Sequence, residues 1–189
     1  MIKVVGGKHR GRALATPEGL ETRPTSSRAR ESLFNILAHA TRNPGGTSPL
    51  VGARVLDAFA GSGALGIEAL SRGAAHASFL DSDATAIRLI GENLRKIGEA
   101  ANARVIRADA TRPPTTREGC DLAFLDPPYR KDLIAPALAG LRDGGWLVAP
   151  AVVVAEMADE ENYPPTDGFE LVDDRLYGDT RVVILKTAP

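Results

Sequence analysis

The chain has 189 residues, 43% hydrophobic and 25% charged, which is enough to close one core around one domain without covalent staples. One cysteine, Cys120, excludes an internal disulfide framework and an all-cysteine metal site, and fits a reducing compartment. The net charge of -1 hides an asymmetry: residues 1–42 carry eight Lys or Arg and three acids, a net +5, which leaves -6 for the rest. A polyanion held at one end, nucleic acid first, therefore competes with a merely solvated basic face.

The elements follow in chain order. Residues 2–5 and 12–15 read as short strands around Gly6-Gly7, a hairpin or extended arm with basic side chains. Residues 17–25 are turn-rich. Ser26 or Ser27 caps a helix reaching Ala40, with Ala29, Leu33, Ile36, Leu37 and Ala40 on one stripe and Arg28 and Arg30 at its flanks. Residues 1–42 thus form a hairpin and helix extension, 43–52 a linker, and 53–189 the body. In the body, strands are expected at 55–59, 77–80, 104–108, 121–125 and 152–156, with helices at 64–72, 84–97 and 133–141. The last two apolar runs, 169–176 and 181–186, pair around Tyr177-Gly178-Asp179. Alternating strands and helices predict an α/β fold with a mostly parallel sheet, covered on both faces, and an antiparallel C-terminal edge.

No run reaches the roughly 20 apolar residues a membrane span needs. The longest, 146–155, is interrupted by Pro150 and ends at Glu156. Lys3, Lys8, Arg10 and Arg12 have no apolar core behind them, so a secretory signal is not expected and a cytoplasmic location is. His9, His39 and His76 are scattered, and no metal site is predicted. His9 reads as an exposed residue of the basic arm. Cys120 reads as a packing residue, with no histidine spaced to activate it.

The densest signal is Asp57-Ala58-Phe59-Ala60-Gly61-Ser62-Gly63-Ala64-Leu65-Gly66, between a strand and a helix. Gly61 and Gly63 permit a tight turn and close approach of a ligand to the backbone. A dinucleotide enzyme would set a diphosphate there, but the Asp57 carboxylate suits a cationic amine better. That favours S-adenosylmethionine, whose amino-acid end carries an ammonium. Asp81, beside Ser82, ends the next strand and can accept ribose hydroxyls. Asp109 follows the third strand and can meet an adenine edge, with Ala110 packing nearby. Three acids at successive strand ends outline one crevice; the bland alternative is that each caps a turn or helix.

The second constellation is Asp126-Pro127-Pro128-Tyr129, after a buried-looking strand at the same end of the sheet. Its prolines stiffen the turn and fix carbonyl directions. Asp126 and the Pro127 carbonyl can each accept a hydrogen from an exocyclic amine, and Tyr129 can stack on the base. Held so, a nucleobase amine becomes more pyramidal and nucleophilic and lies in line with an electrophilic methyl. Its proton can leave as charge develops, with Asp126 the candidate acceptor. A proline-fixed surface turn is the structural alternative.

With these blocks on the page, the chain resembles class I S-adenosylmethionine-dependent methyltransferases that modify exocyclic amines. More closely, it resembles RsmD, the bacterial 16S rRNA guanine-N2 methyltransferase family. Gly6-Gly7-Lys8, Gly11-Arg12, Thr22-Arg23-Pro24-Thr25, Arg28, Arg30-Glu31, Leu33 to Leu37, Asp57 to Gly66, Glu68-Ala69, Ser71 to Ala74, Asn93-Leu94, Phe124 to Tyr129, Glu156 and Tyr177-Gly178 carry the likeness over nearly the whole chain. It implies a Rossmann-like seven-stranded domain with a small basic extension. It also implies a cofactor held by Asp57 and the backbone of Phe59, Ala60, Gly61, Ser62 and Gly63, with Asp81 and Ser82 at the ribose and Asp109 and Ala110 at the adenine. Asp126, Pro127 and Tyr129 would act on the target guanine. Lys8, Arg10, Arg12, Arg23, Arg28, Arg30, Pro128, Tyr129 and Arg130 would meet the substrate. That substrate would be 16S rRNA, at guanine 966, in the small ribosomal subunit or its assembly intermediate, with the protein a monomer. Ala58, where Leu is common, departs from the pattern and alters packing only.

Glu156 closes the fifth body strand, bracing the crevice or simply ending a strand. Three rivals remain. A DNA or RNA adenine-N6 methyltransferase shares the reaction motif, but no sizeable target-recognition domain is apparent. A dinucleotide oxidoreductase leaves Asp126 to Tyr129 unexplained. A ribosome-assembly binding factor would use the same basic front.

Overall fold

The alternation of apolar strands and amphipathic helices folds as predicted, into an α/β layer structure described by a computed structural model. It describes residues 2–16, 27–40, 48–163 and 165–188; side chains of 27–29 and 38–40 are not described. The turn-rich segment 17–25, with Arg23, and residues 43–47 of the expected linker lie outside these residues.

In the body, β3 (Arg54–Ala58), β4 (His76–Asp81), β5 (Ala103–Arg107), β6 (Cys120–Leu125) and β7 (Leu147–Ala158) are parallel. Then β8 (Phe169–Tyr177) and β9 (Thr180–Thr187) close the edge antiparallel. The order is β5-β4-β3-β6-β7-β9-β8. Central strands carry continuous apolar runs because both of their faces are covered. β7 is longer than its predicted 152–156 because β6 pairs with Leu147 before a register shift between Cys120 and Leu122, and β9 pairs on through Met157 and Ala158.

One face is covered by α2 (Ala64–Ser71) and α3 (Ala84–Ile97), together with the N-terminal extension. The other is covered by α4 (Ile134–Asp143), where Leu138, Leu141 and Trp146 fill the core. α3 begins where the Asp83 carboxylate accepts from Thr85 N at 2.8 Å and stops at Gly98, whose φ of 78° suits a glycine cap. Among the described residues no helix is long and apolar enough to cross a membrane.

The extension is docked on the body. β1 (Ile2–Lys3) pairs antiparallel with β2 (Ala13–Leu14). α1 (Ser27–Ala40) buries Leu33, Phe34 and Leu37 in the same core as α2. Gly7 has φ +71°, and a Cβ there would sit 1.8 Å from the Ser71 carbonyl oxygen, so only glycine lets the hairpin approach α2 this closely. Val5 N donates to Glu68 Oε2 at 2.8 Å, Ser71 Oγ donates to the Gly6 carbonyl, and His9 N donates back to Ser71 Oγ.

The two flanks of β3 are filled by β4 on one side and β6 on the other. The chain therefore changes winding direction at β3, which opens a crevice at the carboxyl ends of these strands.

Candidate functional site

The glycine loop leaves β3 into this crevice. Phe59 adopts a φ of 63°, a conformation costly for a residue with a Cβ, and Gly61 and Gly63 follow at 54° and 76°. The loop is held by Gly63 N donating to the Ala60 carbonyl within it and by Ala60 N donating to the Leu80 carbonyl of β4. A Cβ at Gly61 would meet nothing within 4 Å, so the crevice is open there. At Gly66 a Cβ would lie 2.4 Å from the Phe79 ring, so the third glycine serves helix–sheet packing rather than ligand approach.

Asp57 is 1% exposed, and its Oδ2 accepts from Gly66 N at 2.8 Å. Its carboxylate braces the strand–helix turn, a role the sequence did not distinguish from direct ligand contact. Burial pushes its pKa well above the usual range; the Gly66 hydrogen bond opposes this, and the charges of Asp126 and Asp81 add to it. Of the three strand-end acids expected to outline one crevice, Asp57 and Asp81 interact by electrostatic repulsion, whereas Asp109 is not among the groups that act on Asp57; its place is taken by Asp126 after β6. A cationic ligand in the crevice would offset that repulsion, so the donor set fits a sulfonium cofactor bearing an ammonium.

Asp81 is half-buried. Its Oδ2 accepts from Gly61 N and its Oδ1 from Asp83 N, both at 2.8 Å. Each oxygen keeps a lone pair for a further donor. Ser82 is exposed, and its carbonyl accepts from Arg107 Nε. Asp109 is exposed and takes Thr111 N and Oγ1 on one oxygen, which holds its pKa down. The turn-capping alternative therefore describes this oxygen of Asp109. Ala110 is buried beside it.

At the end of β6, Asp126 and Tyr129 are half-buried, Pro127 is buried and Pro128 is exposed. Tyr129 Oη lies 3.3 Å from Thr180 Oγ1, and burial lifts its pKa to about 12, with Asp126, Glu156 and Glu161 nearby. Tyr129 is therefore neutral at physiological pH. A cavity of about 230 Å³ adjoins this turn, lined by Pro127, Tyr129, Glu156 and Met157 among others. Arg130 has φ 59°, its guanidinium forks onto Glu160, and its N–H donates to Glu161 Oε1 at 2.9 Å. In this structure it serves the acidic loop 159–161.

The basic residues divide. Arg10 and Arg12 are exposed on the hairpin, as expected of phosphate contacts. Lys8 is half-exposed and bridges Glu99 at 2.7 Å. His9, expected to be exposed, instead lies 2.6 Å from the same Glu99 oxygen and is largely covered. Burial raises the Glu99 carboxyl, but hydrogen bonds from Asn102, Lys8 and His9 outweigh it and bring the pKa to about 2. Arg30 corrects the sequence reading outright. It is 2% exposed, donates Nη2 to the Lys3 carbonyl at 2.5 Å and places Nε 4.0 Å from Glu68 Oε2. A guanidinium so enclosed cannot meet RNA; it ties α1 to β1 and α2. Burial lowers its pKa, while Glu68 and Glu156 pull it back up. The Arg28 side chain and all of Arg23 lie outside the described residues.

Two residues matter more than the sequence suggested. Glu68, fully buried, joins Val5 N, Arg72 Nε at 2.7 Å and Arg30. Asn93 accepts from Ala15 N at 2.7 Å and donates to the carbonyls of Ala15 and Ser62, both at 3.0 Å. It links the hairpin to the glycine loop. In the sequence it shows as a polar residue within the apolar stripe of α3 and as part of the Asn93-Leu94 match to the family.

The family model described as "Conserved hypothetical protein 95" matches residues 2–186. The chain is 39% identical over 165 residues to ribosomal RNA small subunit methyltransferase D of Escherichia coli (strain K12), covering 86% of this chain and 78% of the relative. It is 30% identical to the protein of the same name from Haemophilus influenzae, over 94% of this chain and 89% of that one. The solved Escherichia coli yhhF superposes with a TM-score of 0.81 at 36% identity, covering 98% of this chain and 97% of that one. With a matching seven-stranded sheet and its acid-lined crevice in place, the chain belongs to this family of RsmD-type class I methyltransferases.

Proposed function

We propose that the protein transfers a methyl group from S-adenosylmethionine to the exocyclic N2 of a guanine in 16S rRNA, within the small ribosomal subunit or its assembly intermediate. The observation that carries this reading is the shared edge. Asp81 and the glycine loop lie on one flank of β3, and Asp126 to Tyr129 on the other, close enough for Asp57 to feel both Asp81 and Asp126. The names of the relatives support rRNA as the substrate class.

S-adenosylmethionine, when bound, supplies an electrophilic methyl on a sulfonium. Asp81 would accept the ribose hydroxyls, and Asp57 would lend negative charge beneath the loop. Asp126 and the Pro127 carbonyl would accept the two amine hydrogens and fix the lone pair toward the methyl. Tyr129, neutral, would stack on the base rather than take its proton. Asp126 is the proton acceptor as positive charge develops on nitrogen. Arg10 and Arg12 would hold phosphates and position the RNA without reading its sequence. The bridge through Asn93 places that hairpin at a set distance from the cofactor loop.

The test uses purified protein, methyl-labelled S-adenosylmethionine and small-subunit particles or 16S rRNA lacking the modification. Nucleoside digestion should return label in N2-methylguanosine at a single position, with guanine 966 the expected one. Label in adenosine or in DNA would reject the assignment.

A further inference from the structure

Next to the double-proline turn lies the cavity of about 230 Å³. It is smaller than the ~300–1,000 Å³ of sites for drug-sized ligands, and suits one planar base. Its walls include Pro127, Tyr129, Ile134 and Met157, which are apolar or aromatic. Glu156, 1% exposed, contributes a carboxylate to it.

Glu156 has a defined place in the sheet. Ala155 of β7 is in register with Leu125 of β6, so Glu156 stands level with Asp126 on the neighbouring strand. Both acids also act on the Tyr129 hydroxyl. The two acids therefore stand level on neighbouring strands, Glu156 in the cavity wall and Asp126 next to the lining residue Pro127. Guanine presents two adjacent kinds of donor on its Watson–Crick edge, the N2 amine and N1–H. Adenine presents an acceptor at N1.

Resting on the guanine reading above, we infer that Glu156 accepts the guanine N1–H while Asp126 holds the N2 amine, so that Glu156 is the residue that selects guanine. An adenine in the same pose would set its N1 lone pair against a buried carboxylate. A site built to accept a hydrogen rejects the analogue lacking it, because its buried acceptor is left unpaired. Glu156 also faces the charge of Arg30.

The probe is a target RNA with 2-aminopurine in place of the modified guanine. This base keeps the N2 amine but has an acceptor at N1. Wild-type protein should methylate it about 100-fold less efficiently in kcat/KM than guanine, the loss expected when a charged acceptor loses its donor. Glu156→Gln, whose amide can donate to N1, should shrink that ratio at least 10-fold. A merely structural role for Glu156 would lower both substrates together and leave the ratio unchanged. Cofactor binding measured on the same variant reports whether it is folded. If it is not, the wild-type ratio decides alone, and a preference below about 10-fold overturns the inference. An unchanged ratio in folded Glu156→Gln overturns it as well. Failure of wild-type protein to methylate guanine at all would instead overturn the underlying assignment, and the selection mechanism with it.

Discussion

Asn93→Ala tests whether the N-terminal hairpin and the cofactor loop are mechanically joined. The wild-type side chain is buried and makes three hydrogen bonds, one from Ala15 N and two to the carbonyls of Ala15 and Ser62. Each is worth about 1 kcal/mol net, and more where the stranded partner cannot reach water. Ala15 borders solvent, so part of the loss is recovered there. The expected destabilisation is about 2 kcal/mol, or a Tm lower by about 4–8 °C for a chain of this size. Asn93→Asp should cost at least as much, because it keeps the acceptor for Ala15 N but turns a carboxylate toward two carbonyl oxygens. Thermal unfolding of the apo protein gives the first number, and calorimetric titration with S-adenosylmethionine gives the second. Cofactor affinity should fall together with Tm, since Ser62 belongs to the loop. A Tm within about 1 °C of wild type would refute the energetic reasoning. A lowered Tm with unchanged cofactor affinity would refute the link to the loop.

Arg30→Met should cost about 3 kcal/mol, because it leaves Glu68 buried with one cation fewer; unaltered chemical denaturation would contradict the buried role. The paired Arg10→Glu and Arg12→Glu variant should leave Tm unchanged yet weaken RNA binding and reduce its salt slope by about 2, and a wild-type slope would remove the hairpin from the interface. Asp57 has a folded pKa raised above its unfolded value, so ionising it opposes folding. Apo stability contributed by this group is lost as pH rises above about 4, through the raised folded value. Asp57→Asn keeps an acceptor for Gly66 N and should flatten that dependence in pH-resolved melts while weakening cofactor binding; an undiminished pH slope would show that another group is responsible. Glu99 has the opposite sign. Its folded pKa of about 2 lies below the ordinary 4.5, so its stabilisation is present above about 4.5 and disappears as pH falls toward 2. Glu99→Gln should lose that acid-sensitive increment, and hydrogen exchange should show faster opening of residues 2–14; identical exchange would place the hairpin's anchor elsewhere.

The strands, helices and glycine loop were legible because their signals are local. Apolar runs in β3, β4 and β6 and the strand–turn–helix sequence around Gly61 each depend on a few neighbouring residues. The α/β class and the common strand end carrying Asp57, Asp81 and Asp126 follow from such patterns, since parallel strands linked by helices all point the same way. The length of β7 was less legible, because distant neighbours extend it: β6 at Leu147 and β9 at Met157 and Ala158.

By itself the sequence determined the alternation of elements, the acid at each strand end, and a basic excess near the N-terminus. Only the tertiary structure decided which of those charges face water. Arg30 and Arg12 look alike in a basic segment, yet one is enclosed against Glu68 while the other is exposed on the hairpin. His9 and Lys8 meet Glu99 some 90 residues away, and Asn93 reaches Ala15 across 78. A charge's partner and its exposure depend on which distant surfaces the packed core brings together, and no local pattern along the chain encodes that distance.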